Sequence, residues 1–287
     1  MTEQVSPLRQ RMIDDMTIRN MSPGTRYVYI RAVKNFSLHC KRSPDKLTFD
    51  DVRDYHLHLV SRGLEAQTIN QIMCALRFFY GTTLGKANVA EHIPLARRSD
   101  PLPAILSRDQ VARFLKAIPN LKHRTAFATI YAAGLRVSEV VTLTARDIDS
   151  PNMVIHVRQG KGRKDRYVML SDQLLDLLRT YWKSARLQHW LFPGTDPTRP
   201  ITTRQLQRVF RHAADAAGLD EAVTVHTLRH CFATHLLEQG VDIRVIQNLL
   251  GHRHITSTAR YARVALNTIR QIQSPLERLN IKLTPPA

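Results

Sequence analysis

Between Gly85 and Pro103 the chain loses its periodicity. The stretch GKANVAEHIPLARRSDPLP carries Pro94, Pro101 and Pro103 without regular apolar spacing. Proline cannot continue a helix, because it lacks the amide hydrogen and clashes with the preceding turn. Sequence on both sides is periodic, so the break divides the 287 residues into two folding units. We take 1–85 as an N-terminal helical domain, 86–106 as a linker and 107–287 as a second domain.

The first domain reads as helices throughout. Met12, Ile13, Met16 and Ile18 form a first apolar run, and Ser22 followed by Pro23 is a cap and first-turn signal for a second helix. Tyr27, Ile30, Val33 and Phe36 follow at helical spacing. Thr48 with Asp51 opens another helix, which buries Val52, Tyr55 and Leu59 and stops at Gly63. A last helix over 67–80 gathers Ile69, Ile72, Met73, Leu76 and Phe79 as core.

Charge decides what such a chain can meet. A net +18 and a pI near 10.4 favour a polyanion, either nucleic acid or an anionic membrane surface. The most apolar stretches, such as 126–135, are about half as long as a membrane-spanning helix requires, and MTEQVSPLRQRMIDD has no signal-peptide core. These features point to nucleic acid in the cytoplasm. Arg19, Arg26, Arg31, Lys34, Lys41, Arg42, Arg62 and Arg77, between the apolar stripes, favour phosphate contact over a merely solvated surface. Cys40, Cys74 and Cys231 are odd in number and lack paired spacing, so we expect reduced thiols.

In the second domain Ser107 caps a helix with Val111, Phe114 and Leu115 inward, and an apolar helix over 125–132 leads to Gly134 and Arg136. Taken by position alone, Arg136 belongs in a salt bridge with Glu139, three residues on. Residues 153–157 and 167–170 alternate as strands around the basic, glycine-containing turn QGKGRKDR, which lacks the GxxxxGK[ST] pattern of a nucleotide-binding loop. Further helices run over 172–184 and 203–217.

The densest chemistry lies in HTLRHCFATHLLEQGVDIRVIQNLLGHRHITSTARYARV, from His226 to Val264. His226 and Arg229 are three apart and share a helix face, while Leu228, Phe232, Leu236 and Leu237 supply the buried stripe. A second helix over 242–250 ends at Gly251, which leaves His252 just past its C-terminus, and Tyr261 follows behind a Thr256-Ser257-Thr258 cap signal. His226, His230, Cys231, His235, His252 and His254 also form a conceivable zinc set. No glutamate lies between His226 and His230, however, and two histidines at this spacing arise readily by chance among 13.

HTLRH, LLGHRHI and Tyr261, with YAAGLRVSEVVTL and VIHVRQGKGRKDRYVML upstream, resemble the signature boxes of the tyrosine recombinases, the phage-integrase and Xer-like site-specific recombinases. The resemblance implies a mainly α fold: an N-terminal helical, SAM-like core-binding domain, and a helical catalytic domain with a small antiparallel β-sheet. It further implies a catalytic set of Arg136, Lys161, His226, Arg229, His252 and Tyr261, with Lys161 selected over Lys164.

In that scheme Tyr261 is the nucleophile, and the two arginines clamp the non-bridging oxygens of the scissile phosphate. Lys161 protonates the leaving 5′ oxygen, His226 assists proton movement at the nucleophile, and His252 bonds the phosphate. A covalent 3′-phosphotyrosyl ester would conserve the bond energy, so neither ATP nor a metal cofactor is expected. The partners implied are double-stranded DNA carrying specific recombination sites and a homo-tetramer on paired sites that exchanges strands through a Holliday junction. The segment from Asn267 would dock onto a neighbouring protomer. Whether a second recombinase or an accessory protein takes part stays open, and so do the target sequence and the biological role. A DNA-binding protein without catalysis would account for the charge but predicts loss of at least one of the six residues, and none is lost; a type IB topoisomerase uses related chemistry, but the two-domain size and the GLRVSE and LLGH boxes fit a recombinase better.

Overall fold

The computed structural model describes residues 6–97, 103–158, 165–185, 189–252 and 254–263, without the side chains of Arg260 and Arg263. It divides into two compact units, Met1–Asp100 and Pro101–Ala287.

The N-terminal unit is helical. Its helices are α1 (Pro7–Ile18), α2 (Pro23–Cys40), α3 (Phe49–Ser61), α4 (Ala66–Phe78) and the short α5 (Ala87–His92). The expected start signals operate: Ser22 Oγ accepts from the Thr25 amide, and Thr48 and Asp51 form a reciprocal capping box. Met12, Met16, Phe36, Val52, Leu59, Ile69, Met73 and Leu76 fill the core.

Two details depart from the sequence reading. Tyr27 is 67% exposed. Steps of three residues fall short of a full turn, so between Tyr27 and Phe36 the helix rotates the stripe by roughly half a turn. Tyr29 faces Phe78 instead, with ring centroids 6.0 Å apart. Within the stretch read as linker, α5 is ordered and Ile93 is fully buried in the N-terminal core, its carbonyl accepting from Arg77.

The second unit begins its helices with α6 (Arg108–Lys116), which a Ser107–Gln110 capping box opens, followed by α7 (Leu121–Ala133) and the single turn α8 (Val137–Val140). A three-stranded antiparallel sheet follows: β1 (Ile148–Asp149), β2 (Val154–Val157) and β3 (Arg166–Met169), in that order. Strand β1 is too short to leave an alternation in the sequence. The register pairs Val154 with Met169, Ile155 with Val168 and Val157 with Arg166, so Ile155, Val157 and Val168 face the core.

Helices α9 (Asp172–Ala185) and α10 (Thr203–Ala216) complete the outer layer. Helix α11 (Val225–Glu238) supplies Leu228 and Cys231 to the core and packs against α7. Then come α12 (Ile243–Leu250), α13 (Thr256–Ala259) and a 3-10 turn over Arg260–Arg263.

Polar groups latch the start of this unit to α11. The Leu106 amide donates to Cys231 Sγ, and the Leu106 carbonyl lies 3.1 Å from His235 Nε2, which therefore carries the proton and leaves Nδ1 to accept from the Tyr131 hydroxyl at 2.9 Å. Cys40, Cys74 and Cys231 are free thiols. No helix among the described residues is long and apolar enough to cross a membrane.

Candidate active site

The site is built where three helix ends meet. Gly134 ends α7 in the left-handed conformation, φ +61°, which turns the chain sharply so that Arg136 stands at the head of α8. Gly251 ends α12 in the same way and delivers His252 beside α11. Neither glycine has room for a side chain: a Cβ on Gly134 would lie 2.4 Å from the Phe232 ring, and one on Gly251 would lie 3.0 Å from Arg166 Cδ.

Glu139 is the anchor of the cluster. Its buried carboxylate receives Arg136 Nη1 at 2.7 Å and the fork of Arg166, Nη1 and Nη2 each at 2.8 Å, while Arg229 Nη1 lies 3.8 Å away. Burial alone would raise the pKa of this carboxyl. The hydrogen bonds and charge of Arg166, joined by Arg136, outweigh burial and hold the group at about 2, so it is ionised. The simple i, i+3 pairing of Arg136 with Glu139 is therefore present, within a larger array that also fixes the guanidinium group.

Arg229 is 3% exposed. Its Nη1 donates to the Gly134 carbonyl at 2.5 Å, and its Nη2 donates to the Leu250 carbonyl at 2.6 Å. Both acceptors belong to helix ends whose carbonyls have no partner within the helix. Burial and the Arg136 charge push its pKa down to about 9, which still leaves it charged at neutral pH.

His252 joins the second arginine to the tyrosine. Arg229 Nη2 lies 3.2 Å from His252 Nε2 and can only donate, so Nε2 accepts and Nδ1 carries the proton that reaches Thr258 Oγ1 at 2.9 Å. Burial, then the charges of Arg229 and Arg136, push the imidazole down to about 4, consistent with this neutral tautomer. The Tyr261 ring stacks against His252 with centroids 6.4 Å apart, and Tyr261 is 2% exposed in an apolar cluster with Phe232, Ile246 and Leu250.

The structure thus brings Arg136, Arg229, His252 and Tyr261 together. His226 stands at the exposed start of α11, its ring 6.2 Å from that of His230, and partial desolvation with the charges of Arg229 and Arg136 lowers its pKa. Lys161 lies between β2 and β3, outside the described residues.

Sequence reasoning misses one member and undervalues two others. Arg166 occupies the inward register of β3, two and four residues before the buried Val168 and Leu170, and a charge at an inward strand position is a usable signal. Glu139 was seen only as a partner for Arg136. His230 was weighed only as a zinc ligand, yet its Nδ1 lies 3.0 Å from the Tyr261 hydroxyl. Among the described residues no group of three or more histidine, cysteine, aspartate or glutamate side chains gathers as a metal site, and His235 and Cys231 are engaged with Leu106 and Tyr131.

Comparison with known proteins agrees with this geometry. Residues 104–267 match the model of the phage integrase family, and residues 8–88 match the phage integrase N-terminal SAM-like domain. A putative integrase/recombinase, y4qK, of Sinorhizobium fredii is 47% identical over 96% of this chain and 90% of its own length. The tyrosine recombinase XerA of Thermococcus kodakarensis is 37% identical over 75% of this chain and 77% of its own. A crystal structure of a lambda integrase dimer bound to a core site shares the fold, with a TM-score of 0.74 at 18% identity, covering 93% of this chain and 97% of that one. With its two family domains in order, the chain belongs to the phage integrase family of tyrosine recombinases, enzymes that carry out site-specific recombination by cutting and rejoining DNA.

Proposed function

We propose that Tyr261 is the nucleophile of this recombinase and that Arg136, Arg229, His252, His226 and Lys161 serve its attack on a DNA phosphodiester. One observation carries the reading: Arg229 bonds His252, and the His252 ring stacks on Tyr261, so anion-binding guanidinium and phenol sit in one buried cluster. A tyrosine hydroxyl is weakly nucleophilic, with only about one phenol in a thousand ionised at neutral pH. The site must therefore stabilise the charge that attack builds on the phosphate. Arg136 and Arg229 supply planar donors for the non-bridging oxygens, already oriented by Glu139 and by two helix-end carbonyls.

His252 needs a proton on Nε2 to bond a phosphate oxygen, and an incoming anion favours that protonation. Lys161, in the basic turn between the strands, is the general acid for the departing 5′ oxygen, and His226 assists proton movement at the mouth of the site. The product is a 3′-phosphotyrosyl ester, which a new 5′ hydroxyl reopens without an external energy source. Four copies on two DNA sites then exchange strands in pairs through a Holliday junction, the segment from Asn267, outside the described residues, docking each protomer on the next.

The test is to express wild-type protein and Tyr261→Phe in bacterial cells, denature rapidly, and sequence the DNA covalently attached to the protein. The reading expects adducts at a 3′ phosphate from wild type only. Adducts of equal yield from Tyr261→Phe would move the nucleophile elsewhere.

A further inference from the structure

Attack requires Tyr261 to lose its hydroxyl proton, and His230 lies within reach of it. Its Nδ1 lies 3.0 Å from the Tyr261 hydroxyl, and the two rings are tilted with centroids 5.6 Å apart. His230 is partly buried on α11, one residue after the buried Arg229, and its other face carries the His226 ring. Accepting a proton there would pass charge from a buried phenol to an imidazole with a solvent-facing neighbour.

We propose that His230 is a catalytic residue, the proton acceptor for the Tyr261 hydroxyl, and that His226 acts on the nucleophile only through it. The step balances without another reagent. Tyr261 Oη bonds to phosphorus as the bond from phosphorus to the 5′ oxygen breaks. The hydroxyl proton passes to His230 Nδ1, giving an imidazolium, and the leaving oxygen takes a proton from the general acid. Religation runs the same transfers backwards. Among the described residues, charged or titratable groups around His230 include Arg229 and His226 on its own helix, His252 beyond Tyr261, and Arg136 with Glu139 across the site. The cationic arginines oppose an imidazolium, and Glu139 together with the anionic phosphate offsets them.

This inference rests on Tyr261 being the nucleophile, and the experiment separates the two. Single-turnover cleavage is measured on a DNA duplex carrying a site recovered from the in-cell adducts, once with the natural phosphodiester and once with sulfur replacing the bridging 5′ oxygen. Sulfur leaves without protonation, so it rescues loss of a general acid and not loss of a base. His230→Asn keeps an acceptor near Nδ1 but cannot take up a proton.

The expected result is cleavage about 100-fold or more slower on both substrates, with DNA binding unchanged and a rate that keeps rising with pH above 8, where wild type has levelled. Wild-type rates for His230→Asn, or rescue by sulfur, would overturn the assignment. If the variant melts early, nitrogen-15 spectra of the folded wild-type chain and Tyr261→Phe decide instead. An unmoved His230 Nδ1 resonance would also overturn it. Cleavage that survives Tyr261→Phe would refute the nucleophile and not His230 alone.

Discussion

Arg166 grips both oxygens of the Glu139 carboxylate, 2.8 Å from each, while its Nε donates to the Leu249 carbonyl at the same distance. One side chain from β3 thereby ties the turn that carries Arg136 to the end of the helix that delivers His252.

Removing the anchor should cost more than a surface ion pair. Glu139→Gln leaves Arg136, Arg166 and the 3% exposed Arg229 facing one another without a counter-charge. Breaking a buried pair from one side costs about 3–5 kcal/mol. Urea denaturation should show that loss together with a steep drop in covalent adducts, whereas a shift under 1 kcal/mol would mean the arginines find other partners.

Gly134 predicts a mutation that acts at a distance from any charge. Gly134→Ala places a methyl 2.4 Å from the Phe232 ring at φ +61°. Overpacking of this kind costs about 1–3 kcal/mol. Because the Gly134 carbonyl holds Arg229, cleavage should fall further than the melting temperature alone accounts for. Equal activity per folded molecule would show that the arginine needs no such support.

Arg229→Lys tests the fork directly. A lysine ammonium cannot serve the Gly134 and Leu250 carbonyls and a phosphate in one plane, so DNA binding should persist while cleavage falls about 100-fold or more. Filter binding and adduct yield, measured on one preparation, separate the two effects.

Acid should weaken the fold in two stages. His252, held at about 4 in the fold against an ordinary 6.5, stabilises the native state fully above pH 6.5 and progressively less as pH falls toward 4. Glu139, held at about 2 against 4.5, continues the loss from pH 4.5 downward. Melting temperature should therefore decline from pH 6.5, and His252→Asn should flatten the upper stage only. An unchanged slope in that variant would show that other histidines set it.

In the proposed mechanism guanidinium groups carry the charge stabilisation, so no divalent ion is called for. Cleavage by chelator-treated protein should match the untreated rate in a buffer of equal ionic strength, and full loss restored by magnesium would contradict it.

Much of this was visible in the sequence because it depends on local rules. Ser22-Pro23, Thr48 with Asp51, and Gly251 are start and stop signals that act within one turn, and the helices begin and end there. The grouping of Arg136, Arg229, His252 and Tyr261 was legible only through resemblance, since no periodicity brings α8 to α11. The contribution of Arg166 needed the strand register, and Tyr27 needed the accumulated rotation of a helix. The place of His230 turns on a single distance between α11 and a 3-10 turn, and no local pattern encodes that.

The Glu139 array also sets a balance of charge. Three guanidinium groups around one carboxylate leave the cluster two positive charges in excess. A resting phosphodiester brings one negative charge, and attack on phosphorus adds roughly one more. Counted by itself, the Glu139 array is balanced when the phosphate is pentacoordinate, so this guanidinium array is matched to the charge on phosphorus at the moment of transfer better than to that of DNA before or after it.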